Sequence, residues 1–263
     1  MWDDAPSAAI VRRVHLASTF DAALMATTVA AVLARLAGVL TTGGAVAGAV
    51  VGWCVSLGFG LPGLAVLGTF FVVGSLATRV GWATKKARGT AEAGEGRRDW
   101  KRVMGKGGVA AVVALLVAFG FPRTFWWYAD GAFAGAVAAA LADTLGTEIG
   151  TLSHGTARRL PTFAIAPAGT PGAVSVAGTA AAYAGSCVVA LVAVAVRIPP
   201  MPPGFVSETA FAACGISAAG IVASLLESTA VGVGLRAPGF VRNVFTTAAG
   251  AVLGGLLAWR VVT

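Results

Sequence analysis

Long apolar stretches alternate with short polar breaks along most of this chain, and their lengths predict helices that cross a membrane. Roughly 20 apolar residues span a bilayer as a helix, and stretches of about that size fall at 19–39, 43–60, 61–80, 107–122, 130–150, 172–197, 205–234 and 241–260. The second and third meet at Gly58-Phe59-Gly60-Leu61-Pro62-Gly63, where Gly and Pro mark a turn, so this pair is a hairpin or a shallow re-entrant. The expectation is an all-α fold: a polytopic transmembrane bundle of about seven or eight helices. It forms one integral-membrane domain over 1–263, with a basic loop at 81–106 and a second loop at 151–171.

Composition agrees with the pattern. The chain is 57% hydrophobic and 11% charged with a mean hydropathy of +0.83, whereas a soluble domain carries roughly 25% charged residues. Its 36 glycines include small-xxx-small sets such as Gly44/Gly48/Gly52 and Gly131/Gly135, which let helices approach closely. Cys54, Cys187 and Cys214 lie in apolar segments without a CxxC pairing or a nearby His, and read as packing residues. Arg12 and Arg13 precede an apolar run, but Asp21 interrupts it and no small-residue cleavage site follows. A first transmembrane helix is therefore expected there in place of a cleaved signal. Membrane lipids are the expected surroundings, nucleic acid is not an expected partner, and a homodimer is left open.

Charge sets an orientation. The net charge is +8, and nine of the 19 basic residues (Arg79, Lys85, Lys86, Arg88, Arg97, Arg98, Lys101, Arg102 and Lys106) fall between 79 and 106. By the positive-inside rule this loop faces the cytoplasm. Alternation then brings Arg158 and Arg159 of the 151–171 loop, and Arg236 and Arg242, to the same side. Arg12 and Arg13 would sit outside after three crossings, a mild conflict with the rule. Read alone, the basic loop is an anchor on anionic lipid heads.

The chemistry concentrates in Ala142-Asp143-Thr144-Leu145-Gly146-Thr147-Glu148-Ile149-Gly150, at the end of an apolar segment. Intramembrane acids are expensive and mark sites. On an ideal helix Asp143 shares a face with Thr147, and Thr144 with Glu148, whereas the two acids lie about 140° apart. They can bind one ion only if the helix opens near Gly146 or a partner helix contributes. Glu227-Ser228, flanked by Ser224 and Thr229, is the natural partner; its bland alternative is a protonated core acid. Asp143, Glu148 and Glu227 are thus candidate Mg²⁺ ligands beside cations that grip phosphates. Gly105-Lys106-Gly107-Gly108 and Gly169-Thr170-Pro171-Gly172-Ala173-Val174-Ser175 each lead into a segment and offer helix N-termini to anions, though Gly and Pro also simply start helices. No Rossmann strand precedes the first cluster, and the Walker pattern is absent. His154 and Ser153 have no hydrolase partners, and His154 reads as a loop residue.

Several motifs in order carry a resemblance. Phe70-Phe71-Val72-Val73-Gly74-Ser75-Leu76-Ala77-Thr78-Arg79 is followed by Gly81, Lys85, Gly96-Arg97-Arg98, Val103 and Gly107-Gly108. Ala142-Asp143-Thr144 with Glu148-Ile149-Gly150 comes next, then Gly169-Thr170 with Gly172 and Val174-Ser175, then Gly220, Glu227-Ser228 and Asn243. Over roughly 45–260 this is similar to the integral-membrane family that includes plant phytyl-phosphate kinase. The resemblance implies transfer of a phosphoryl group from a nucleoside triphosphate, CTP favoured, to an isoprenyl monophosphate. Asp143, Thr144, Glu148 and Glu227 would then hold Mg²⁺ or orient the acceptor. Lys85, Arg97, Arg98 and Lys106 would neutralise phosphates; Gly169, Thr170 and Ser175 would cradle them, with Ser228 and Asn243 beside them. The chain departs from the family pattern at Lys106, where Asn is usual, at Arg102 for Gln or Asn, at Glu227 for Asp, and at Leu145-Gly146-Thr147 for Trp-Ala-Ser. The first departure puts a cation where an amide could read a base edge. Two other classes stay open: a proton- or cation-coupled transporter, and a nucleotidyltransferase forming a CDP-lipid.

Overall fold

The computed structural model describes residues 5–91, 94–120, 126–153, 156–199 and 206–259. Eight helices occur among them: α1 (Ala5–Leu36), α2 (Thr42–Arg79), α3 (Trp82–Ala87), α4 (Trp100–Ala118), α5 (Trp126–Gly150), α6 (Val176–Ala195), α7 (Val206–Gly232) and α8 (Gly239–Trp259). Five of them (α2, α5, α6, α7 and α8) hold stretches long and apolar enough to cross a membrane. α4, whose first two turns carry Lys101, Arg102 and Lys106, is not among the five.

α2 is two helices joined at a fold-back. Gly60 has φ 58° and ψ −148°, a conformation open to glycine alone, and Pro62 two residues later supplies no N–H to repair the ladder. Gly44 near one end packs on the Arg98 backbone, and Gly74 near the other packs on the Arg98 side chain. In a straight helix these glycines would stand about 45 Å apart, so the two halves run antiparallel, and the Gly58–Gly63 turn is a hairpin.

α5 is the central helix. It packs against α2, α4, α6, α7 and α8, and every residue from 131 to 142 is buried. Small residues make this possible: Gly131 and Gly135 lie on the backbone of Gly254 and Gly250 in α8, so a side chain at any of the four would strike main chain. Gly146 faces Ala182 and Gly178 of α6 less tightly, and α5 stays helical through it. The helix does not open between the two acids.

Several elements differ from the sequence expectation. α4 begins at Trp100 and not near 107, because Asp99 caps it by accepting from the Arg102 N–H at 2.9 Å. Gly105-Lys106-Gly107-Gly108 therefore lies inside a helix with its amides already engaged, and is not an anion-binding N-terminus. Gly105 instead gives room to Asn243, and Gly107 to Val51. The region 81–106 is accordingly not one loop: it contains α3 and the first turns of α4. The region 151–171 likewise holds two strands of a small antiparallel sheet, β1 (Ala157–Arg159) and β2 (Ala164–Ala166), completed by β3 (Ala173–Val174) in the order β2-β1-β3. Arg158 pairs with Ile165 on one side and Val174 on the other. Strands of two or three residues are too short to show an alternating pattern. α6 consequently starts at Val176, four residues after the expected 172, with Ser175 as its cap.

Candidate functional site

Antiparallel neighbours bring the ends of seven elements to one end of the bundle. α1, both halves of α2 and the start of α4 meet around Arg98, whose N–H donates to Val39 O and whose carbonyl accepts from Thr41 N. The end of α5, the start of α6, the end of α7 and the start of α8 close the other side. Between them lies a cavity of about 780 Å³, within the range of small-ligand sites.

Most of the sequence-predicted residues line it: Arg98, Lys106, Asp143, Thr144, Glu148, Gly169, Thr170, Ser175, Glu227, Ser228 and Asn243. The acids do not form a common cage. Lys106, one helical turn after Arg102, reaches across to the Asp143 carboxylate. Arg242 Nη1 donates to Glu227 Oε1 at 3.3 Å. Asp143 and Lys106 both lie within electrostatic range of Glu227. Among the described residues no group of three or more His, Cys, Asp or Glu could hold a metal ion by itself.

Glu148 is held differently. Lys85 of α3 is completely buried and donates to Glu148 Oε2 at 2.5 Å, to Ala77 O at 3.0 Å and to Thr78 O at 3.3 Å. Three donors are the whole capacity of an ammonium group. Lys85 thus caps the end of α2 and ties it to α5, and it does not line the cavity. Arg97 also lies outside the cavity: it turns to Glu95 at 3.5 Å with its side chain 44% exposed. Arg98, the next residue, points inward with its guanidinium 5.3 Å from the Phe70 ring centre. His154 lies outside the described residues.

The hydroxyls have defined local roles. Thr144 Oγ1 donates to Ala140 O at 2.7 Å, and Ser175 Oγ accepts from the Gly178 N–H at 3.1 Å, capping α6. Gly172, at φ 74°, lies against Gly232 at the end of α7, which binds the β-sheet to the rim.

Two cations on the cavity wall lie outside the predicted set. Arg102 precedes Lys106 by four residues, a spacing that places both on one face of α4. Arg242 stands one residue before Asn243, and its Nε is a buried donor with no hydrogen-bond partner among the described residues. Such a group costs free energy unless an acceptor arrives. The signal in both cases was a basic residue beside a motif residue.

The cavity is amphiphilic. From the charged end it runs along Ala34, Ala30 and Ala26 of α1 and Phe71, Gly68 and Leu64 of α2. Each set recurs every three or four residues and therefore forms one helix face.

A helical bundle with membrane-length apolar segments and an ionic cavity at one end defines the class: a polytopic α-helical membrane protein. The chain belongs to the integral membrane protein family DUF92, which matches residues 25–257. Among relatives, it is 35% identical over 142 residues to the uncharacterised membrane protein sll0875 of Synechocystis, covering 54% of this chain and 55% of that protein. It is 32% identical over 148 residues to the uncharacterised membrane protein MJ0933 of Methanocaldococcus jannaschii, covering 56% and 59%. With the chloroplastic protein VTE6 of Arabidopsis thaliana it shares 31% identity over 147 residues, covering 54% and 43%. The matches span about half the length of these relatives. No solved structure matches the chain.

Proposed function

We propose that the protein is a membrane kinase that moves the γ-phosphoryl group of a nucleoside triphosphate, CTP favoured, to an isoprenyl monophosphate. The observation that carries this reading is a cavity that joins a cation-rich end to an apolar arm, which suits a phosphate head on a hydrocarbon tail. The resemblance to the phytyl-phosphate kinase family and the likeness to the Arabidopsis protein VTE6 support it. The positive-inside rule puts the charged end on the cytoplasmic side, where nucleotide is supplied.

In this reading an acceptor phosphate oxygen attacks the γ-phosphorus, the bond from that phosphorus to the β-bridging oxygen breaks, and the nucleoside diphosphate leaves with the electron pair. The acceptor oxygen is already anionic, so no general base is required. Lys106, Arg98, Arg102 and Arg242 position the phosphates and neutralise their charge, the larger part of catalysis in phosphoryl transfer. The unpartnered Arg242 Nε gains its acceptor from a phosphate oxygen. Mg²⁺ that arrives on a nucleotide takes only one or two protein carboxylates, the rest being phosphate and water. Asp143 and Glu227 suit that need once their partners Lys106 and Arg242, both on the cavity wall, turn to the phosphates, whereas Glu148 is held by Lys85, which is fully buried and off the cavity. When bound there, Mg²⁺ would offset charge on the transferring group. Thr144, Ser228 and Asn243 lie beside the acids, and Gly169, Thr170 and Ser175 form the rim over which the nucleotide would lie.

The test is label transfer. Full-length protein in detergent or nanodiscs, given Mg²⁺, geranylgeranyl or phytyl monophosphate and each γ-labelled nucleoside triphosphate, should place label in the lipid. Asp143→Asn keeps the shape of the side chain and should lower turnover by about a hundredfold or more in protein that still folds, with some fall in unfolding temperature because Lys106 loses its counter-charge. Substrate movement across vesicles without nucleotide consumption would favour a transporter. Release of pyrophosphate, with the nucleotide retained in the lipid, would favour a nucleotidyltransferase. Full activity in Asp143→Asn would remove this residue from the site.

A further inference from the structure

The cavity's apolar arm has a defined depth, and on its wall from the second half of α2 Gly68 presents no side chain. Gly74 lies beside the Arg98 guanidinium at the charged end, and the arm follows the second half of α2 from there past Phe71 and Gly68 to Leu64. Ten residues of helix separate Gly74 from Leu64, about 15 Å, and Gly68 stands about 9 Å along that path. A Cβ built at Gly68 would meet no atom within 4 Å. Most other glycines of α2 do meet neighbours: Gly52 lies on Thr27, Gly58 on Ala114 and Gly63 on Phe59. Packing therefore does not explain the glycine at 68, whereas open space in front of it does.

We propose that Gly68 sets the length of hydrocarbon tail that the site admits. The proposal rests on the kinase reading above and names the tail-binding part of its acceptor site. Charge complementarity fixes the direction of the occupant: the anionic head sits at Arg98 and Lys106, so the tail must run toward Leu64. A short tail ends before Gly68 and a longer one must pass it. Leu64 stands farther along the same face and limits tails that have passed Gly68.

The substitution that tests this is unusually clean. Gly68→Leu places an isobutyl group in empty space, and leucine is a better helix former than glycine, so the fold has no reason to weaken. Binding of radiolabelled geranyl, farnesyl and geranylgeranyl monophosphates to the full-length protein in detergent gives the readout. Because each buried methylene contributes to affinity, Gly68→Leu should weaken geranylgeranyl monophosphate by about tenfold or more, with the loss shrinking along the series to the geranyl ester. Leu64→Ala should shift the preference toward longer chains. In turnover, the acceptor KM should rise for the long chain while the nucleotide KM holds. An unaltered chain-length profile in Gly68→Leu, or an equal loss at every length, would overturn the proposal. Length-dependent binding that responds to these variants, with no label transfer to any acceptor, would uphold the tail slot and sink the kinase instead.

Discussion

Along α5, residues 131–142 are buried without a break, whereas the eight residues after them hold Asp143, Thr144, Thr147 and Glu148 and open toward the cavity. One helix thus carries two environments in succession. In the first, glycine and alanine bring α8 into backbone contact through Gly131, Gly135, Gly250 and Gly254. In the second, the neighbours retreat and each acid meets a cation from another element: Lys106 from α4 for Asp143, and Lys85 from α3 for Glu148. The difference teaches that one helix can divide its work, a dry and tightly packed half holding the bundle together and a polar half supplying the charges of the cavity.

The polar half is itself divided, and removing Lys85 should expose the division most strongly. Lys85 and Glu148 are a buried pair with every ammonium donor used. Lys85→Met leaves an uncompensated carboxylate, which costs about 3–5 kcal/mol where such pairs have been broken. A large fall in the unfolding temperature of the detergent-solubilised protein is expected. Adding Glu148→Gln should restore much of it, because the neutral amide no longer needs a counter-charge. If Lys85→Met unfolds at the same temperature as the parent protein, Lys85 does not hold α2 to α5.

The packing half is probed by Gly135→Val. A side chain at this position would strike the Gly250 carbonyl, and backbone cannot yield as a side-chain tip does, so overpacking should cost about 1–3 kcal/mol. The expected signature is a lower unfolding temperature with residual turnover per folded molecule close to normal. That differs from Asp143→Asn, which should remove turnover even from the molecules that remain folded. Loss of turnover in fully stable Gly135→Val would mean that the two halves are not separable.

Much of this division was legible in the sequence, and the reasons are local. The apolar run ending at Asp143 announced where the dry half stops, and counting crossings placed the basic region, the acidic motif and Glu227 to Asn243 together. The Gly-Pro turn at 58–63 announced the fold-back. Pairing was not legible. Which cation meets which acid depends on how α3, α4 and α8 dock, and no spacing within one helix encodes it. Arg97 and Arg98 look equivalent as letters, yet the backbone bridge to Val39 and Thr41 sends only the second inward. The start of α4 was misplaced because glycines inside a helix that packs tightly look like those that begin one. The cap at Asp99 was the better signal.

The adjacent arginines provide the smallest expected effect and the sharpest control on the cavity boundary. Among the described residues the Arg97 side chain makes a 3.5 Å contact to Glu95, itself 80% exposed. An exposed pair of this kind contributes little to stability, and salt screens it. Arg97→Gln should therefore change turnover and acceptor KM by no more than about twofold. Arg98 lines the cavity, sits over Phe70 and is buried. Arg98→Gln removes the charge while leaving a side chain that can still hydrogen-bond, and should raise the acceptor KM well beyond the change at Arg97. Measuring the two variants at low and at moderate ionic strength separates the roles further: any small effect at Arg97 should fade with salt, whereas the effect at Arg98, shielded from solvent, should persist. Equal responses at the two positions would move the cavity wall outward to include Arg97, and would erase the boundary between site and surface at this end of the bundle.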